Sequence, residues 1–248
     1  MGEIAPYGLV HLCGIGSLMK SLRLPDIYRS TNLNTLAIWK ENAGIGEIRE
    51  DSYYDPVKLA LATGIKPAMP SPVSRLVNEL NAVISNDPLA DILPTESFHF
   101  TFLPLTLPLY QVNEPLPDKV QQLTTIWTGY DSKKIVIRHL RLVALPSQLL
   151  LAGIPEEAAV TMRQSLCEEI LASRWKEELL MRHSNTPLPA PFWHSTILRY
   201  HAAYLPAAVR QFFLERQNND YGDVAGELTL ARISYNWTKF YPFRYGTK

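Results

Sequence analysis

Two short strings in this 248-residue chain place an imidazole two positions before a hydroxyl: His99-Phe100-Thr101 and His194-Ser195-Thr196. In a strand, residues i and i+2 point to the same face with Cα atoms about 6 to 7 Å apart, so each histidine brings a threonine hydroxyl to the same space. An imidazole gives or takes a proton near neutral pH, and a threonine hydroxyl donates a hydrogen bond to a phosphoryl oxygen. Two such sets facing each other bracket one phosphate. One histidine deprotonates the attacking oxygen and the other protonates the leaving one; the sequence does not say which does which. With six histidines and 15 threonines in the chain, chance placement yields roughly 0.4 such triplets. Two of them, both in strand-like runs, point to a site.

The elements that must position them follow from periodicity. Phe98-His99-Phe100-Thr101-Phe102-Leu103 alternates strictly, with the phenylalanines on one face and His99 and Thr101 on the other. Phe192 to Leu198 is a second short strand-like run. Leu33 to Trp39 has the length and apolar content of a strand. Ser71 and Pro72 suit the start of a helix whose Val73, Leu76, Val77, Leu80, Val83 and Ile84 share a face. Another helix begins near Asp118 and runs through Leu123 and Trp127. Strands are expected over Ile135 to Val143 and Gln148 to Gly153, joined at Pro146-Ser147. Pro155-Glu156-Glu157 opens the longest expected helix, burying Ala159, Met162, Leu166 and Ile170. A last helix around Leu205 to Phe213 precedes strands over 226–235 and 239–245. The order is strand, helix, His-x-Thr strand, helix, two strands, helix, His-x-Thr strand, helix, two strands, one pattern stated twice. Residues 1–32 have no clean period and read as an N-terminal extension, leaving 33–248 as one domain with a loop-rich insert at about 41–70.

On these motifs, each followed by an apolar residue (Phe102 and Ile197), the chain resembles the 2H phosphoesterase superfamily, including the RNA-ligase-like 2′,3′-cyclic phosphodiesterases. The resemblance covers about residues 33 to 245 in element order. It implies an α+β fold, bilobal and duplicated, in which two antiparallel sheets form a central cleft with helices on the outer faces. It also implies His99, His194, Thr101 and Thr196 as catalytic residues, no metal and no cofactor. Substrates within the family range over 2′,3′-cyclic phosphates, 2′,5′-linked oligoadenylate and RNA 3′ ends, and one class binds nucleotide with little turnover. The expected activity is therefore a metal-independent phosphodiesterase on a cyclic phosphate or short oligonucleotide. The alternative is a nucleotide-binding module with the same cleft, against which the two intact acid/base motifs weigh.

Secondary candidates are less sharply placed. By alternation the face of His194 and Thr196 continues to Leu198 and Tyr200, so Tyr200 either sits at the cleft margin, contacting a base or phosphate, or is a half-buried ring. Arg141 is a candidate cation for the substrate phosphate, with His139 on its face and Arg138 opposite; a solvated role is the other reading of all three. Trp193 and Phe98, next to the motif histidines, point toward the cores. Trp237, Tyr241 and Tyr245 form either a stacking edge or a cover on a core.

Other chemistries lack their residues. There is no His-Glu-x-x-His and no Gly-x-Ser-x-Gly, and Gly14-Ile15-Gly16-Ser17 lacks the spacing of a dinucleotide loop or P-loop. His11, His139, His183 and His201 have no metal-type spacing. Cys13 and Cys167 read as small buried hydrophobes of a reducing compartment. Twenty-four basic and 24 acidic residues cancel, which disfavours long nucleic acid or an anionic membrane as a partner but leaves a nucleotide or short oligonucleotide open. The start of the chain lacks the marks of a signal peptide, and the stretch from Tyr7 to Met19 is too short to span a bilayer, so the expected location is the cytoplasm.

Overall fold

Phe98, Phe100 and Phe102 are all buried, and burying one such ring contributes about 1.5 to 3 kcal/mol. That single face fixes the direction of the other one. In the computed structural model, which describes residues 23–50, 55 and 57–243, the strand carrying Thr101 is β3 (Phe100–Pro104), and His99 stands one residue ahead of it. His194 opens β6 (His194–Tyr200), the strand of the second motif.

The remaining elements, in chain order, are α1 (Leu24–Glu41), β1 (Ala60–Ile65), α2 (Ser71–Ile84), β2 (Ala90–Ile92), α3 (Val120–Trp127), β4 (Lys134–Leu145), β5 (Gln148–Pro155), α4 (Glu157–Leu171), α5 (Lys176–Arg182), α6 (Ala207–Arg216), β7 (Val224–Glu227), β8 (Thr229–Ile233) and β9 (Phe240–Pro242). They build a four-stranded sheet in the order β3-β1-β8-β9 and a five-stranded sheet in the order β2-β6-β5-β4-β7. Every pairing within them is antiparallel. The fold is α+β, as expected, and the duplication is visible in the strand order. Each motif strand pairs with the strand that precedes the helix before it, β3 with β1 and β6 with β5, and that strand pairs with a third, β8 or β4.

The strand expected over Leu33 to Trp39 is instead part of α1, an 18-residue helix that begins ahead of residue 33. Its inward side chains explain why it has no apolar stripe. Asn32 Nδ2 and Thr35 Oγ1 donate to the carbonyls of Leu142 and Ala144, the Ala144 amide donates to Asn32 Oδ1, and Trp39 Nε1 donates to Pro146 O. β7 pairs with β4 only over Lys134 to Ile137, so α1 satisfies the edge that β4 leaves open beyond it.

The opening strand of the repeated order lies at β1, inside the segment read as a loop-rich insert. Ala60-Leu61-Ala62-Thr63-Gly64-Ile65 hides from a propensity reading because it is covered on both faces and short of bulky β-formers. The neighbouring residues 42–44 are held down by Arg210, whose guanidinium donates to the carbonyls of Asn42 and Gly44.

Smaller differences concern helix ends. Pro70, not Ser71, occupies the cap of α2, and Val83 is exposed while the other five apolar positions are buried. α1 exceeds α4 in length, and α5 is an additional short helix. His11, Cys13, the Gly14 to Ser17 string and Tyr245 lie outside the described residues.

Candidate active site

The two motifs meet. His99, Thr101, His194 and Thr196 line one cleft between the sheets, and its walls come from β1, β3, β6 and β8. β1 turns only Ala60 and Ala62 into it, and the cross-strand neighbours of His194 and Thr196 are Ala152 and Leu150. The small side chains of Ala60 and Ala62 leave the space open on that side.

His99 is fixed on two sides. Its Nδ1 lies 2.6 Å from the carbonyl of Ser97, so Nδ1 carries the proton and Nε2 the lone pair. The indole of Trp237 stacks on the ring at 4.8 Å between centroids and 11° between planes. Gly64 permits this: a Cβ there would stand 2.5 Å from Phe100 O and 2.7 Å from the Trp237 ring. Trp237 also stacks on Phe240, so it is a fully buried cover on the four-stranded sheet that ends at the site.

Burial, with Arg199, His194 and Lys66 nearby, holds the His99 imidazole down at about 3, against the opposing Ser97 hydrogen bond. His194 is pushed down to about 4 by burial and by the charges of Arg199 and Arg163. Both rings are neutral at pH 7. An anionic phosphate between them offsets the cations and favours a protonated ring.

Arg199 joins the site although alternation from Thr196 would turn it away. The pairing of β5 with β6 shifts between Leu149↔Leu198 and Leu150↔Thr196, so one residue of β6 bulges and the faces exchange. Arg199 then lines the cleft, 7% exposed, with its guanidinium 5.4 Å from the Tyr235 ring centroid. The same bulge removes Tyr200 from the cleft. Its hydroxyl donates to Asp87 Oδ2 at 2.9 Å, and of the two readings of Tyr200 the half-buried ring is the one this packing matches.

Arg141 is not among the lining residues either. It shares the face of His194 through the row Arg141↔Ala152↔His194, two strands away, beside Tyr28 of α1. A bulge between Arg138 and Arg141 puts His139 at φ 54° and turns it to the surface, where it pairs with Asp220. Arg138 bonds Glu156 and Asp223 there as well. Trp193 and Phe98 pack in the core, and Tyr241 is exposed.

Arg163, Arg182, Arg199 and Tyr235 line the cleft and escaped the sequence reading. Only Arg163 left a signal, because it sits four residues after Ala159 and four before Cys167 on the buried face of α4. Among the described residues no group of three or more His, Cys, Asp or Glu is placed to hold a metal ion, and no helix is long and apolar enough to cross a membrane.

Solved structures similar to this chain include LigT of E. coli. In its complex with 3′-AMP, LigT shares 13% identity and a TM-score of 0.47, with 75% of this chain and 96% of that one covered. TT0787 of Thermus thermophilus shares 14% identity and a TM-score of 0.48, with 76% and 100% covered. A third, a phosphoesterase, shares 13% identity and a TM-score of 0.48, with 75% and 96% covered. No protein-family model and no curated protein matches the chain.

Proposed function

We propose that the chain is a metal-independent phosphodiesterase of the 2H type, acting on a cyclic phosphate or a short oligonucleotide, 2′,3′-cyclic or 2′,5′-linked. The observation that carries this is the meeting of both His-x-Thr sets in one cleft. Thr101 and Thr196 hold the non-bridging phosphoryl oxygens, and Arg199 neutralises their charge. His99 and His194 act as an acid/base pair in line with the scissile bond: one accepts the proton of the attacking water as the other donates to the leaving oxygen. The depressed imidazoles suit a base at rest, and the bound phosphate supplies the negative charge that loads the acid. The site is a phosphoric diester hydrolase by this reading, with nucleotide as partner and the cytoplasm as its setting.

The test is a panel of 2′,3′-cyclic nucleotides and 2′,5′-oligoadenylates assayed in EDTA. Turnover in EDTA that drops by about 10²-fold or more in His99→Ala and in His194→Ala is the expected result, since a positioned proton-transfer group is worth about 10² to 10⁴. Full activity in the double variant would overturn the mechanism. Tight AMP binding by calorimetry with no product from any substrate would assign the chain to nucleotide binding instead.

A further inference from the structure

Arg163 is 6% exposed, its guanidinium lies 4.0 Å from the Trp193 ring centroid, and its Nη1 donates to Phe192 O at 3.3 Å. Among the described residues its buried Nε has no hydrogen-bond partner and no ion pair involves Arg163. A buried cation without a carboxylate is costly to keep, and its fork of donors exceeds the acceptors around it. It lines the cleft. Arg182, in the last turn of α5, lines the same end, and no ion pair among the described residues involves it either. The charges of both reach His183, which bonds Pro104 O at the end of β3 and is neutral, so it adds nothing to them. Arg199 stands at the opposite end of β6 from the Phe192-Trp193 segment that Arg163 grips. Among the described residues the cleft is thus lined by three arginines and no aspartate or glutamate, in a chain of zero formal charge.

One singly charged diester between the histidines is served by Arg199 and the threonines. We propose that the Arg163–Arg182 end of the cleft is a second anion subsite, which takes a phosphomonoester carried by the substrate beside the phosphodiester that is cut. This rests on the phosphodiesterase reading above and narrows its substrate class to nucleotides with a terminal phosphate in addition to the reacting one. Arginine suits the role because its planar fork meets a phosphate in two parallel hydrogen bonds.

The experiment compares adenosine 2′,3′-cyclic phosphate with the same compound bearing a 5′-phosphate, using the full chain. The expected result is a kcat/KM at least tenfold higher for the 5′-phosphorylated compound, mostly through KM, and a fall of at least fivefold in that ratio in Arg182→Gln. Arg163→Lys, which keeps the charge and loses the fork, lowers the ratio as well; its thermal unfolding is recorded to show that it folds. A wild-type ratio near one, or a ratio unchanged in Arg182→Gln, overturns the subsite. If neither compound is turned over, the phosphodiesterase reading fails separately, and calorimetry with adenosine 3′,5′-bisphosphate and with AMP decides the subsite. Tighter binding of the bisphosphate that Arg182→Gln abolishes supports it, and equal binding of the two overturns it.

Discussion

The indole of Trp237 lies flat against the imidazole of His99, 4.8 Å away and tilted by 11°. The stack does two things. It excludes water from one face of the ring, which contributes to the burial that holds the imidazole at about 3, and it sets the plane in which Nε2 meets a substrate. Trp237→Ala is therefore expected to move the His99 titration back toward the ordinary value of about 6.5. It should also lower kcat by roughly 10- to 100-fold, the scale of a small misplacement of a reacting group. NMR titration of the histidine and the pH profile of kcat check both. A kcat loss with an unmoved titration would make Trp237 a packing residue only.

Gly64 makes that stack possible, and its replacement tests the same geometry from the other side. In Gly64→Ala the new methyl collides with Phe100 O and with Trp237. The expected cost is about 1 to 3 kcal/mol of stability by overpacking, together with reduced turnover, because Phe100 carries the backbone between His99 and Thr101. Denaturant unfolding and single-turnover rates measure the two effects.

Arg199 and Tyr200 are adjacent in sequence and opposite in consequence. Arg199→Met should lower kcat/KM by about 10- to 100-fold, since a hydrogen bond to a charged group is worth roughly 1.5 to 3 kcal/mol. Arg199→Lys should recover part of that. Tyr200→Phe loses the bond to Asp87 and should cost about 0.5 to 1.5 kcal/mol of stability while kcat/KM stays within twofold of wild type. The reverse pattern would mean that the bulge in β6 is misplaced.

The histidines also tie stability to pH. Unfolded, both titrate near 6.5; folded, His99 is held at about 3 and His194 at about 4. Between about pH 6.5 and pH 4 the unfolded chain binds protons that the native state refuses, so stability falls as the pH is lowered through that window. Going from pH 6.5 to 5 costs about 1.7 kcal/mol through His99 alone. His99→Gln has no such proton to bind, and its Tm should decline less steeply than that of the wild type across the window. Parallel declines would contradict a buried neutral imidazole at this position.

Much of the architecture was legible because one buried face per element writes a period into the chain. The alternation through Phe98, Phe100 and Phe102 and the 3, 4, 7 spacing of α2 are each the imprint of a single core. The elements that were misread bury something else. α1 presents Asn32, Thr35 and Trp39 to the backbone of β4, so its inward face is chosen for hydrogen bonding and has no apolar stripe. β1 is enclosed on both faces and kept small beside the cleft, so it has neither alternation nor bulk.

By itself, the sequence determined the four groups that do the proposed chemistry, the strands that carry them, and the doubled order that brings two such strands together. Those are local matters, settled by residue type and by the period of the chain. The tertiary structure decided which other side chains reach the cleft: Arg199 and not Tyr200, Trp237 over His99, Arg163 with Arg182 at one end, and Arg141 set apart. A β-bulge adds one residue to a strand and exchanges its faces, and a stack or a charge cluster joins residues far apart in the chain. Neither leaves a mark in the spacing of residues, because both arise only when strands pair and sheets close on each other.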